Sequence, residues 1–353
     1  GAYSSQLSCM PENMRIVPAH TTMGISHYIK EIGRGARGAK ALDRTQAADL
    51  FGQVLDGRVT DLEVGAFCVA MRIKGETVDE MCGFLDAVYA RIAAFPACAD
   101  GRPLIVLPSY NGARRLPVLT PLLALLLARE GQSVLLHGMR TEARRVLASD
   151  VLEALDIPAL AAPEEIAHGS VAHISTAALL PGLARLLSVR EAIGLRTPAH
   201  SVAKLVAPCA GPALVVASYT HPEYFELLGA TFGALGAHAL LSRGLEGEVA
   251  ADPRRQPRYD AFVAGTHQLL QEQQPGTADE VPGLPAEIDV ASTAAYTRRV
   301  LAGQAPVPAP LQQQVRHIVH LACQITARGR PRRARPPTAA ATRWAPAPAP
   351  PRS

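Results

Sequence analysis

Between Phe95 and Pro103 the hydrophobic pattern of this chain changes period, so two kinds of architecture must meet there. Upstream, apolar residues recur at helical spacing. Asp43 opens a first helix that places Ala47, Leu50, Phe51 and Val54 on one face and stops at Gly57. Thr60-Asp-Leu-Glu63 is a capping-box pattern, in which each outer side chain satisfies a backbone N–H that the first helical turn leaves unpaired. That helix carries Phe67, Cys68 and Met71 and runs to Gly75. Thr77-Val-Asp-Glu80 repeats the device and opens a third helix through Met81, Phe84, Leu85, Val88 and Ile92, which Pro96 ends. Short helices with short loops predict a compact helical subdomain.

Beyond Pro103 the apolar runs have strand length: Leu104–Leu107, Ser133–Leu136, Val171–Ile174, Ala213–Tyr219 and His238–Leu241. Helical stretches separate them, among them Leu116–Ala128 and Pro222–Leu235. Such alternation predicts a mostly parallel sheet with helices on both faces. The expected α/β organisation is therefore a flexible leader (1–23), a small N-terminal helical domain (24–96) and a larger α/β domain (103–327) with a mostly parallel central sheet. An Arg-, Pro- and Ala-rich tail without periodicity (328–353) is expected to be disordered.

With 353 residues, 48% of them apolar, the chain can bury a sizeable core. Its most apolar stretch is broken by Pro117 and Pro121 and is too short to span a bilayer, so no membrane partner is expected. Six cysteines (Cys9, Cys68, Cys82, Cys98, Cys209, Cys323) form no C-x-x-C pair and have no metal-spaced histidines nearby. That usage fits buried thiols in a reducing cytoplasm.

The net charge of +4 hides an uneven distribution. Seven arginines and no acid lie beyond Gln324, which leaves the rest of the chain with 28 basic against 31 acidic residues. Within that remainder, Gly24–Lys40 holds Lys30, Arg34, Arg37 and Lys40 against Glu31 alone, and Arg102–Arg145 holds seven arginines against Glu130 and Glu142. A polarised surface of this kind suits a polyanion.

Leu55-Asp-Gly-Arg-Val59 and Ala70-Met-Arg-Ile-Lys-Gly-Glu-Thr77 resemble the helical domain of anthranilate phosphoribosyltransferases and nucleoside phosphorylases. His137-Gly-Met-Arg140 resembles that family's Lys-His-Gly-Asn-Arg loop, and Ile193-Gly-Leu-Arg-Thr197 its Leu-Gly-x-Arg-Thr; the resemblance covers roughly residues 24–328. It implies a nucleoside phosphorylase/phosphoribosyltransferase-like fold and a homodimer formed through the helical domain. The departures matter more than the matches. The family's Gly-Thr-Gly-Gly-Asp pyrophosphate loop falls on Pro108, Ser109, Tyr110, Asn111 and Gly112, so bulky residues stand where backbone must approach phosphate closely. Its Asn-x-Ser-Thr falls on Val118–Pro121, which leaves Thr120 as the one hydroxyl. Its Lys and Asn fall on Leu136 and Met139, and its magnesium-holding acid pair on Val249 and Ala250, with Glu246 and Glu248 nearby.

These losses act on one charged leaving group, so phosphoribosyl transfer is not expected and no catalytic residue, metal ligand or cofactor is assigned. The replacement Pro108-Ser-Tyr-Asn-Gly-Ala-Arg-Arg-Leu-Pro117 resembles the YbiB-type branch, whose members look like dimeric nucleic-acid-binding proteins. The expected function is sequence-independent binding of single-stranded DNA or RNA. Arg114, Arg115, Arg140, Arg144 and Arg145 would neutralise phosphates, Lys30, Arg34, Arg37 and Lys40 would extend the basic groove, and Tyr110 would stack on a base. Ser109, Asn111, Thr120, His137 and Arg196 would mark the former substrate pocket. Blander readings stand beside these: a solvated face for the arginine doublets, with Arg144 and Arg145 on a helix beside Glu142, a packing role for His137 and a relic ion pair for Arg196. The alternative function is a glycosyl or phosphoribosyl transferase on another substrate, for which magnesium would be the cofactor.

Overall fold

The computed structural model describes residues 24–329. The expected leader, Cys9 and nearly all of the expected tail lie outside them. Four helices open the fold: α1 (Ser26–Ile32), α2 (Arg44–Leu55), α3 (Asp61–Lys74) and α4 (Val78–Tyr89). Each capping pattern in the sequence is formed, with Gln46 the reciprocal partner of Asp43. Two of the caps also tie down the chain before α1 and α2. Glu63 accepts the N–H of Ile25, and the fully buried Glu80 accepts that of Leu42 while pairing with Lys74 at 2.7 Å. Phe51 and Phe84 stack with ring centroids 4.6 Å apart, and Phe67 meets both edge-on.

Seven strands form one sheet: β1 (Leu104–Ser109), β2 (Val134–Gly138), β3 (Val171–Ser175), β4 (Ala213–Ser218), β5 (Ala239–Ser242), β6 (Tyr259–Val263) and β7 (Thr266–Gln271). Their order is β3-β2-β1-β4-β5-β6-β7, with the first five parallel and the last two antiparallel. The five expected strands are all present; the β6–β7 hairpin is additional. Side chains alternate across the sheet as the pleat demands. Ile105, Leu107, Val134, Leu136, Leu214 and Val216 share a core with α5 (Thr120–Arg129), α6 (Ala148–Ala154), α11 (Val290–Leu301) and α12 (Ala309–Gly329). Val106, Leu135, Val215 and Ala217 face a second core that is continuous with the helical lobe and with Phe232 of α10 (Pro222–Leu235).

The helical lobe is not one contiguous stretch. After β3 come α7 (Thr176–Leu179), α8 (Pro181–Ile193) and α9 (Pro198–Ala203), and Leu183, Leu187 and Val202 join the core of α1–α4. Gly182 lies so close to α2 that a Cβ there would sit 2.1 Å from the Leu55 carbonyl oxygen. The chain therefore crosses between lobes more than once, and the crossings pair: Phe95 N–H donates to Pro208 and Ala210 N–H to Phe95. No helix among the described residues is long and apolar enough to cross a membrane. Of the cysteines described, Cys68 and Cys82 are buried, whereas Cys98 and Cys209 are half-buried and Cys323 is exposed, so the expectation of buried thiols holds for two of five.

Candidate functional site

Strand order reverses between β1 and β4, and in an open parallel sheet the crevice beyond the carboxyl ends of two such strands is where ligands bind. The loop Pro108–Gly112 leaves β1 at this point. Its backbone N–H groups converge, but on an anion that belongs to the chain. Glu248, only 2% exposed, places one oxygen on the N–H groups of Asn111 (3.0 Å) and Gly112 (2.8 Å). Its other oxygen accepts from the hydroxyls of Ser109 and Thr120, each at 2.8 Å. Two residues earlier, the Glu246 carboxylate accepts the backbone N–H groups of Arg114 (3.1 Å) and Arg115 (3.0 Å), and its carbonyl accepts the Asn111 amide (3.0 Å). Glu246 adopts φ 54°, a left-handed conformation that costs a non-glycine residue energy. At Gly247, φ 83°, a Cβ would meet the Asn111 amide at 2.0 Å, so glycine is required there. Ser218, at the end of β4, fixes the turn through the Gly247 carbonyl at 2.8 Å.

The loop thus has the shape of an anion cradle, and a side chain of the chain itself fills it. Three of the five former-pocket residues, Ser109, Asn111 and Thr120, are brought together as its wall. Glu248 is not a solvated surface acid: its side chain is buried under four donors. Nor do these residues fit a magnesium ion. Both Glu248 oxygens are committed to protein donors, and the next two residues, Val249 and Ala250, are buried apolar side chains that offer no oxygen ligand.

Tyr110 does not present a stacking face. It is 3% exposed, and its hydroxyl sits between His137 Nδ1 (2.9 Å) and Thr176 (3.0 Å), so the base-stacking role expected for it is corrected. Burial raises its pKa. His137 spends its other nitrogen on the Val206 carbonyl at 2.8 Å, and burial pushes its pKa down to about 4. It is a neutral packing histidine.

The expected arginines separate into two groups. Arg114 and Arg115 are exposed, make no ion pair among the described residues and line the cleft. Arg140 instead pairs with Asp150 at 2.8 Å. Arg145 and Arg196 both pair with Glu142, at 2.7 and 3.4 Å, and Arg190 joins them at 3.1 Å. Burial works against the Glu142 charge, but Arg145 and Arg190 outweigh it and hold the carboxyl below its usual range. Three guanidiniums around one carboxylate leave the group positive. Arg144 and Arg145 lie in a turn rather than on the expected helix, with Arg144 exposed. Lys30, Arg34, Arg37 and Lys40 are exposed on and after α1 and do not line the cleft, and Glu31 draws in both Arg34 and Lys40.

The cleft itself, about 1000 Å³, opens between the α3–α4 turn and the carboxyl ends of β1 and β4. Six cationic side chains line it: Arg72, Arg114, Arg115, Arg145, Arg196 and Lys204. Tyr219 and Tyr224, half-buried on its wall, offer the aromatic surface that Tyr110 does not. Burial pushes Lys204 down to about 8, helped by the neighbouring Arg196 charge. His200 is 6% exposed; its Nδ1 accepts the Thr197 N–H, which leaves Nε2 carrying a proton with no partner among the described residues. Arg72, Lys204, Tyr219 and Tyr224 were not candidates from sequence. Arg72 lies within the Ala70–Thr77 segment that carries the family resemblance and Tyr219 ends a strand run, whereas Lys204 and Tyr224 carry no motif.

The model of the glycosyl transferase family helical bundle domain matches residues 26–92. The uncharacterized protein YbiB of Escherichia coli (strain K12) is 39% identical over 313 residues, 87% of this chain and 95% of that protein. An anthranilate phosphoribosyltransferase of Leifsonia xyli subsp. xyli is 31% identical over 270 residues, 71% of this chain and 73% of that enzyme. Among solved structures, anthranilate phosphoribosyltransferase from Thermus thermophilus superposes with a TM-score of 0.65 at 21% identity, covering 85% of this chain and 89% of that one. The Saccharomyces cerevisiae enzyme in complex with PRPP and Mg gives 0.61 at 11% identity, with 85% and 89% covered.

Proposed function

Because the chain belongs to the anthranilate phosphoribosyltransferase family, on the side of it that includes YbiB, we propose that it is a non-catalytic, dimeric protein that binds single-stranded nucleic acid without sequence preference. The observation that carries this reading is the filled cradle. A pyrophosphate would have to displace Glu248 from four donors and bury its own charge in its place, whereas the arginines in front of the cradle stay free for phosphates at the surface. The cation-lined cleft supplies phosphate contacts, and Tyr219 and Tyr224 supply faces on which a base can stack.

Fluorescence anisotropy of a labelled single-stranded oligonucleotide at several salt concentrations tests it. Full-length protein and a version ending at Gly329, the last residue of α12, should both bind, with affinity falling steeply in salt as counterions are released. Absence of binding by both versions would overturn the proposal, and magnesium-dependent affinity for phosphoribosyl pyrophosphate would favour a transferase.

The dimer is expected to form through α3. Leu62, Ala66, Val69 and Ile73 recur along one exposed face of this helix, with Leu62 84% and Ile73 68% exposed. Four apolar residues at heptad-like spacing suit self-association about a two-fold axis. Ile73→Asp should convert the dimer to a monomer in light scattering while leaving the helical circular dichroism unchanged.

Lys204 gives the binding a pH signature. At pH 7 it is charged, and it loses its proton as pH rises through about 8. Affinity for the oligonucleotide should fall about threefold between pH 7 and 9.5, and Lys204→Arg should flatten the profile. Stability must move the other way. Since the folded pKa lies below the unfolded value of 10.5, the penalty for burying the charge is fully present below about 8 and is relieved as pH climbs towards 10.5. Deprotonation of Lys204 therefore does not itself destabilise the fold in that window.

A further inference from the structure

We propose that the paired backbone N–H groups of Arg114 and Arg115 form a phosphate seat that Glu246 occupies in the free protein, and that a phosphodiester of the bound strand displaces its carboxylate. This rests on the nucleic-acid reading above and names the contact at its centre.

The two glutamates in this turn are held very differently. Glu248 is sealed, with four donors and a buried side chain that anchors the loop. Glu246 is half-buried on the wall of the cleft and accepts two main-chain N–H groups, at 3.1 and 3.0 Å, with one oxygen. Two adjacent N–H groups converging on a single oxygen present the donor pattern that a phosphate oxygen takes. The residues that supply them also carry exposed guanidiniums with no ion-pair partner among the described residues, which can close on the remaining phosphate oxygens through their planar forks. Glu246 sits there at φ 54°, a left-handed backbone conformation in which the Asn111 amide holds its carbonyl. The Asn111 amide holds the Glu246 carbonyl rather than its carboxylate, so the side chain can swing away while the turn stays fixed. Glu246 is thus an internal competitor. It keeps the seat preformed without ligand and sets an upper limit on affinity.

Neutralising the competitor should tighten binding. In full-length protein, Glu246→Gln is expected to bind a labelled single-stranded oligonucleotide about fivefold more tightly than the unmodified chain, and the slope of log affinity against log salt should steepen by about 0.7, one further phosphate. Glu246→Gly, which suits the left-handed backbone, should do the same and guards against a misfolded loop. An oligonucleotide with a neutral methylphosphonate backbone should gain nothing. Glu223 lines the same cleft but is not seated on these N–H groups, so Glu223→Gln controls for simple loss of negative charge and should gain less than twofold. Equal gains in Glu223→Gln and Glu246→Gln, or none in either Glu246 variant while the unmodified protein binds, would overturn the seat and leave the broader reading standing. Absence of binding by every protein in the series would overturn both.

Discussion

Glu248→Ala is expected to lower the free energy of unfolding by about 4 kcal/mol, the largest effect of any single polar substitution in the α/β domain. Four donors converge on that carboxylate from two chain segments more than 120 residues away: the N–H groups of Asn111 and Gly112 and the hydroxyl of Ser109 in the β1 loop, and the hydroxyl of Thr120 at the start of α5. Truncation leaves all four facing a dry gap. A hydrogen bond to a charged group is worth roughly 1.5–3 kcal/mol, and donors left unsatisfied in the interior cost more than the contacts themselves contributed. Glu248→Gln keeps one acceptor oxygen, so it should lose about half as much. Urea denaturation followed by circular dichroism reads both values, with the midpoint falling and the slope unchanged. A loss below about 1 kcal/mol in Glu248→Ala would mean that water replaces the carboxylate easily. The cradle would then be open to ligands, and the case against pyrophosphate binding would lose its main support.

That bond network marks the boundary of what the sequence discloses. The capping boxes of α3 and α4 were legible because each is written in four consecutive residues; at α2 the cap Asp43 was legible but not its reciprocal partner Gln46, and all three boxes are formed. The five parallel strands were legible because strands buried on both faces read as continuous apolar runs. The β6–β7 hairpin was not. Its two-residue turn is Ala264-Gly265, both at positive φ (49° and 77°), and alanine in the first position hides a turn that asparagine would announce. Thr266–Gln271 is also a largely polar edge strand, without the alternation that identifies a half-buried one. Helix α12 does carry a readable face in Leu311, Val315, Ile318, Ala322 and Ile325, although neither a cap nor a charge pattern marks its start.

At the site, the family resemblance implied a rewritten phosphate loop but not which residues fill it. Glu248 meets Asn111 across a separation of 137 residues, and no local pattern encodes a contact of that kind. Tyr110 lies two residues after a proline and precedes an Asn-Gly pair, which reads as an exposed turn. Burial came instead from His137 and Thr176 on neighbouring elements, which supply its hydroxyl with partners. The same limit separates the arginines. Glu142, three residues before Arg145, was a legible neighbour, whereas the pairing of Arg140 with Asp150 and the gathering of Arg190 and Arg196 on the same Glu142 come from the fold.

That separation makes the second large effect specific. The double variant Arg114→Ala/Arg115→Ala should weaken single-stranded oligonucleotide binding about thirtyfold, roughly 2 kcal/mol, and flatten the salt slope by about 1.4, as two phosphate contacts are lost. Alanine keeps both backbone N–H groups, so Glu246 stays seated and the turn around Asn111 stays closed. Stability should therefore change by no more than about 0.5 kcal/mol, as for exposed residues without partners. Arg140→Ala should invert the pattern, because it removes the Asp150 ion pair and the bond to the Arg145 carbonyl while taking no free charge from the cleft. Its affinity should fall less than threefold. If Arg140→Ala weakens binding as much as the double variant does, the strand does not pass over Arg114 and Arg115, and the binding surface lies along the far side of the β2 loop.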